Sequence, residues 1–490
     1  MSKVYKIHPA IGIMRVGDSP SEFFIGPEIP GQSGVELTAA GEQPVQTYKE
    51  NGRIKRQAAR FRVFEYDQSA GGTLTLVREV TASEATITWK VELVNKKAAG
   101  NNILGTPGRR NNAISDRGSL TIKPGEREIS GVNQSGVSCD GGKFLGVSVL
   151  LGELKTDSAG RLLVLSGHGK SEGIPSAQGG AIPPLPDFAN NDRWYDDVSD
   201  GPVTATVKFD GQSPITAVPA WVIAAPPDFA PGIGGVVSLY EVVFQAAITA
   251  SLANAPATPS FRKHIFPTVS RSSSLRWTHT WGHWSEISLD WAKLSDKSDP
   301  ANQTLRQQAF NRIMNPNLNR FEMPHYLETA LQKWVAGNFD DDWANVPAVS
   351  VTPEGLDRSA LEACVGANFF PGIEGGALLK TSSLYAEPFR LSPAQVSAGA
   401  MTEVMALPWQ ADFHDCADDW WPSQRPNDIF TDQASIPNDP VLWAAGVQGA
   451  GQAGRRRMVT QFARLGFIVP KTIQSQTIFV EEDRDPTLPR

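Results

Sequence analysis

The chain has 490 residues, several times the size of an ordinary domain, and 40% of them are hydrophobic, enough to fill two or three cores and to exclude intrinsic disorder as its main state. Lys and Arg number 45 against 52 Asp and Glu, a formal net charge of −7 that lacks the basic face nucleic-acid binding requires. Three cysteines cannot staple a chain of this length, so a disulfide scaffold is excluded as well.

Residues 1 to about 235 read as β-rich. Arg60 to Phe64, Thr73 to Val77 and Ala85 to Val91 alternate apolar and polar residues with period two, as half-buried strands do. Val203 to Phe209 repeats the pattern after an Asp200-Gly201-Pro202 turn. Turn-rich segments separate these strands, a spacing that predicts a sandwich-like or irregular β-domain. Apolar residues at helical spacing mark Ser238 to Ala253, Pro300 to Ile313 is rich in helix formers after Asp299, a candidate cap, and His325 to Ala336 and Pro353 to Cys364 continue the helical run. The expected fold class is therefore α+β: a β-rich N-terminal domain, 1–245, followed by a mainly helical C-terminal domain, 246–490. Ten of the 13 tryptophans follow residue 270, with Cys364 and Cys416, so the second half is the place to look for chemistry. The N-terminal residues carry no signal-peptide pattern and no apolar run reaches 18 residues, so no membrane association is expected and the cytoplasm is the default location.

Three motifs are set aside. Ser166-Gly167-His168-Gly169-Lys170-Ser171 resembles the end of a phosphate-binding loop, but Val164 stands where that loop needs glycine, and a polar turn after a strand explains it. His279 and His283 have the four-residue spacing of helical metal ligands. With Gly282 between them and no third ligand evident, aromatic packing of hydrogen-bonded imidazoles is preferred and no metal is expected. The acidic stretches at 192–200 and 340–342 lack calcium-loop spacing and read as turns and caps.

The strongest cluster runs from Leu407 to Cys416, with Asp412 four residues before the cysteine, and continues through Asp418, Asp419, Trp420, Trp421 and Pro422 to Arg425-Pro426. Carboxylates around a thiol raise its pKa, which makes Cys416 a poor thiolate nucleophile. Zinc would want more Cys or His than this segment offers. A sulfur, a nearby carboxylate and indoles are instead the ingredients for covalent modification of a tryptophan, although a packed loop with a buried free cysteine accounts for the same residues.

In this segment and in others the chain resembles the amino-acid oxidases that carry cysteine tryptophylquinone, of the L-lysine 6-oxidase and quinoprotein glycine oxidase type. The resemblance rests on Ile7 to Gly17, Glu22 to Glu28, Ile54 to Phe61, Trp194 to Val203, Cys364 to Glu374, Asp412 to Cys416, Trp420 to Pro426, and Met458-Val459 with Leu465 to Ile468, in order along the chain. It implies that Cys416 is joined by a thioether to a tryptophan bearing two added oxygens, with Asp412 as the adjacent carboxylate base. The matching indole is Trp443, with Trp421 as the fallback. An Arg-Gly pair often found beside that tryptophan reads Ala444-Ala445-Gly446 here, and the spacing from Cys416 is short. The resemblance also puts Cys364 and Tyr195 beside the substrate. It implies oxidative deamination of an amino acid of lysine or glycine type, with O2 reduced to hydrogen peroxide and ammonia released, in a homo-oligomer matured by a separate flavoprotein. Two other functions use the same residues: a non-catalytic β-rich binding protein that is an unmodified relative, and a metal-dependent hydrolase built on His279, His283 and the aspartates.

Overall fold

The computed structural model describes residues 2–103, 105–279, 289–315, 322–346, 348–366, 375–416, 424–474 and 476–489. Its centre is the strand Arg56–Gln68, whose first eleven residues are all buried. One half of this strand pairs with Leu162–Ser166 and the other with Ser2–His8 and Leu74–Val80, so it carries two neighbourhoods of one sheet. From it the sheet runs through Ile11–Arg15, Ala220–Ala225, Asp200–Phe209 and Ala85–Val91 to Arg127–Ser130. Along Ala85–Val91 exposure alternates, with Ile87, Trp89 and Val91 turned into the core, which is the period-two pattern legible in the sequence. Instead of an irregular collection of hairpins, most strands of the N-terminal half join a single 15-stranded sheet. What joins its parts is the parallel pairing of Ile11–Arg15 with Ala220–Ala225, from Ile11 opposite Trp221 to Arg15 opposite Ala225. Both strands are buried and, apart from Arg15 at the end of the first, apolar, as parallel strands covered on both faces are.

Helices take over after the sheet, giving the α+β fold. Leu239–Thr249 starts at Ser238, whose backbone N–H is accepted by Glu241 at 2.6 Å, a cap of the kind that satisfies first-turn donors. Pro353–Glu362 starts with proline at its first position and with the Thr352 hydroxyl accepting the Gly355 N–H at 3.0 Å. Ala301–Ile313 forms where the run of helix formers after Asp299 put it, and His325–Val335 continues the helical run. One apolar cluster contains Trp89, Tyr195, Trp221 and Phe229 together with Trp409, Phe413, Trp443 and Phe467, so both halves of the chain contribute to it. A second cluster, around Phe261, Leu331 and Trp334, is built from the later helices. No helix among the described residues is long and apolar enough to cross a membrane.

The segment resembling a phosphate loop is the link between the strands Leu162–Ser166 and Ser171–Gly173, with Gly169 at φ +72°. His279 is buried after the short turn Leu275–Trp277, and His283 lies outside the described residues.

On the polar side of the central strand, the fully buried Arg60 and its neighbour Arg62 share the carboxylate of Glu28. Burial opposes ionisation of Glu28, yet the two guanidinium groups outweigh it and hold the carboxyl below the usual range. Glu28→Ala removes the shared carboxylate, but Arg60 keeps Glu42 and Arg62 keeps Glu79, so the variant is expected to cost about 1–3 kcal/mol, as for lost hydrogen bonds to buried charged groups. The cost is largest above the ordinary glutamate pKa of about 4.3 and shrinks as pH falls through the depressed value of the folded state. Urea unfolding at neutral and acid pH checks both the size and the direction.

Candidate active site

The helix Trp409–Asp415 carries the site. Pro408 precedes it and supplies no capping side chain, and the Trp409 N–H donates instead to Asp196 Oδ2 at 3.2 Å, from a strand far away in sequence. Gln410 is fully buried; its amide donates to the Gly169 carbonyl at 3.0 Å and accepts from Ser171 Oγ at 2.6 Å. Trp409, Ala411 and Phe413 are buried as well, so apolar packing surrounds the helix rather than lying along one stripe. At its far end Asp415 is gripped by Arg455 at 2.6 Å, and by His414. The helix Gly451–Gln461 comes so close there that a Cβ on Gly454 would fall 2.0 Å from His414 Nε2, which leaves only glycine at that position.

One turn of this helix brings Asp412 and Cys416 together. The Cys416 N–H closes the turn on the Asp412 carbonyl at 2.9 Å, and the Cys416 thiol donates to Asp412 Oδ1 at 3.0 Å. Asp412 is 1% exposed, and its Oδ2 has no hydrogen-bond partner among the described residues. Burial pushes its pKa up to about 7; the thiol, Lys97 and Arg425 act against that shift and Asp415 adds to it. A buried carboxyl that changes charge near neutral pH, with one oxygen unengaged, can take up and return a proton under working conditions.

Trp443 is fully buried and held at every polar atom it has. Its indole N–H donates to the Gly466 carbonyl at 2.9 Å and its backbone N–H to the Asn427 carbonyl at 2.8 Å. Its carbonyl accepts from Arg484 Nη1 at 2.9 Å. One side of the ring meets Phe229, with centroids 4.8 Å apart, and the Arg425 guanidinium lies 5.3 Å from the ring centroid. Arg425 also donates from Nε to the Phe413 carbonyl at 2.7 Å, and Phe229 lies 6.4 Å from Phe413. Arg425 and Phe229 therefore tie the indole to the helix that carries Asp412 and Cys416. Trp421 lies outside the described residues.

Tyr195 is buried with its hydroxyl donating to Glu172 at 3.0 Å, and its chain neighbour Asp196 is the residue that seats the site helix. Cys364 is buried at the end of Pro353–Glu362, its thiol donating to the Ala360 carbonyl at 3.3 Å with Arg15 Nη2 at 3.6 Å. Arg15 continues to the Pro226 carbonyl at 3.0 Å, which also accepts from Gln424 at 3.3 Å, beside Arg425. Sequence reasoning missed Lys97, Phe229 and Arg484. No local pattern marks them, because each acts across a tertiary contact.

Two models of L-lysine epsilon oxidase, one for the N-terminal part and one for the C-terminal domain, match residues 8–224 and 323–432. The chain belongs to the L-lysine ε-oxidase family. By that membership it is an amino-acid oxidase. The L-lysine 6-oxidase of Marinomonas mediterranea is 25% identical to it over 533 residues, spanning 84% of this chain and 70% of that protein. Crystal structures of the L-Lys ε-oxidase from the same organism superpose with TM-scores of 0.77 and 0.79 at 21% identity. Each spans 98% of this chain and 95% of the other, so the fold is shared from end to end.

The raised pKa of Asp412 has a consequence for stability. Between the unfolded value of about 3.9 and the folded value of about 7, the folded state holds a proton that the unfolded state has released, so stability falls as pH rises. Asp412→Asn removes this penalty and keeps an oxygen for the Cys416 thiol. Relative to the parent, the variant should gain stability from about pH 4 to pH 7, by about 4 kcal/mol at most. Urea midpoints at pH 5 and pH 8 measure it, and parallel pH dependences for parent and variant would contradict the assigned burial.

Proposed function

We propose that the chain is a quinoprotein oxidase of amino-acid primary amines, with a cysteine tryptophylquinone made from its own Cys416 and Trp443. The observation that carries this reading is the buried pair of Cys416 Sγ and Asp412 Oδ1 at 3.0 Å, with Asp412 Oδ2 left unengaged among the described residues. The residues fit the group: a sealed thiol beside a carboxylate that titrates near neutrality, and a buried indole tied to the same helix through Arg425 and Phe229. When formed, the quinone supplies an electrophilic carbonyl and a two-electron sink, which no ordinary side chain offers.

The chain's own residues do the rest. Gly466, Arg484 and Asn427 fix the indole, and Arg425 holds it to the site helix. Asp412 accepts the proton from the amine-bearing carbon at Oδ2 and returns it later, a role suited to a group with a pKa near the working pH. Burial of Asp412 and Trp443 keeps water from competing for that proton. Cys364 and Tyr195 border the substrate. The overall reaction balances as amine, O2 and water giving carbonyl product, ammonia and hydrogen peroxide. Because the Marinomonas relative is an L-lysine 6-oxidase, lysine is the first amine to offer and glycine the second. Making the thioether and adding two oxygens is oxidative, so O2 and a maturation flavoprotein belong to the proposal, as does a homo-oligomer.

Intact mass and quinone staining of the denatured chain, after expression with the flavoprotein, test the cofactor, and peroxide release across an amine panel tests the activity. Cys416→Ser should abolish staining. Asp412→Asn should block or cripple maturation, and any matured fraction should turn over about 10²- to 10⁴-fold more slowly. An unmodified mass in the active protein, or a thioether mapped to a tryptophan other than Trp443, would overturn the assignment.

A further inference from the structure

Lys97 and Asp196 form an ion pair at 2.7 Å in which neither side chain is exposed at all. Replacing such a pair by neutral side chains is often harmless to stability, so stability alone does not account for it. Its contacts point elsewhere. Asp196 Oδ2 accepts both Lys97 Nζ and the Trp409 N–H that opens the site helix. Asp196 Oδ1 accepts from the Asn95 amide at 3.2 Å and from the Val198 N–H at 3.3 Å. Asn95 in turn accepts the Lys97 N–H at 2.9 Å, so the lysine is fixed at its backbone as well as at its ammonium group.

We propose that the Lys97–Asp196 pair is a positioning device for the carboxylate of Asp412: Asp196 seats the first turn of its helix, and the Lys97 cation sets the charge around it. The inference rests on Asp412 being the working base. The groups that act on Asp412 are Cys416 and Asp415 from its own helix and its end, Lys97 from the turn Lys97–Ala99, and Arg425 from the segment after the helix. The groups that face Lys97 are Asp196, the buried Arg110, whose Nη1 donates to the Lys97 carbonyl at 2.9 Å, and Asp412. Burial draws the Lys97 ammonium below its ordinary range, and Asp196 opposes that. Lys97 reaches the site helix through Asp196, whereas Arg425 reaches it directly at the Phe413 carbonyl.

The test is Lys97→Gln, which removes the cation and leaves Asp196 Oδ2 in place for the Trp409 N–H. In the unmatured protein, the infrared band of the protonated Asp412 carboxyl is assigned by its loss in Asp412→Asn, which separates it from the buried Asp197, Asp200 and Asp228. Its midpoint should rise by about one pH unit in Lys97→Gln, because a cation that favoured the carboxylate is gone while the Asp196 anion stays. In the matured enzyme the acid limb of kcat/KM should move upward by the same amount. That is about tenfold less activity one unit below the parent limb, with the alkaline plateau within a few-fold. An unmoved band, or an equal loss at every pH, overturns the proposal. A band that moves while the activity limb stays in place removes Asp412 as the working base, and with it the reading on which this inference rests. If Lys97→Gln does not fold, Lys97→Met must move the band and Lys97→Arg must leave it in place; any other pattern overturns the proposal.

Discussion

A carboxyl group sealed from water either finds partners or stays neutral, and the site is arranged around one such group. Asp412 has one oxygen against the Cys416 thiol and is otherwise walled by packed side chains, so its charge is poised near neutrality. The helix that carries it has only seven residues, too few to stand alone in water. Tertiary contacts make it a helix: Asp196 at its first N–H, Gln410 bridging to the Gly169–Ser171 turn, and Arg455 on Asp415 at its end. Each attachment comes from a different part of the chain, which makes the position of Asp412 a property of the whole fold.

The two-stranded pairing of Ser171–Gly173 with Trp194–Asp196 supplies two of these attachments, and the large sheet places the segments around the indole. Parallel pairing of Ile11–Arg15 with Ala220–Ala225 places Arg15 and the segment after Ala225 side by side, and Pro226 to Phe229 then run to the indole. Trp194–Asp196 delivers Tyr195 and Asp196 to the other end of the site helix. From the C-terminal hairpin, Gly466, Glu481 and Arg484 close around Trp443, with Arg484 paired to Glu481 at 2.9 Å. A buried aromatic ring with its N–H bonded and both neighbours packed has little freedom to turn, a restriction that the proposed thioether to Cys416 would require.

Buried charge recurs in the places that tie distant segments together: Arg60 and Arg62 on Glu28, Lys97 on Asp196, Arg271 on Glu241. Ion pairs of this kind contribute little net stability against apolar replacements, but removing one partner is costly. Such a design tolerates few alternative packings, since each misplacement leaves a charge without its partner. For the chemistry proposed at the 3.0 Å contact of Cys416 with Asp412, that intolerance is useful.

Much of this was legible in the sequence. Period-two alternation located Ala85–Val91, helical spacing located Leu239–Thr249, and the four-residue interval placed Asp412 and Cys416 on one helical turn. These are local features, set by side-chain periodicity. Resemblance to a family added the pairing of Cys416 with a distant tryptophan, which no spacing rule supplies. Only the tertiary structure decided that the strands form one sheet through a parallel pair about 200 residues apart, since strand register between remote segments leaves no local mark. It also decided that Arg425 lies over Trp443 while donating to the Phe413 carbonyl, and that Lys97 is buried against Asp196. Lys97 reads in sequence as one of two adjacent, ordinarily solvated lysines; its burial is set by a partner 99 residues away, and partners at that distance are chosen by packing.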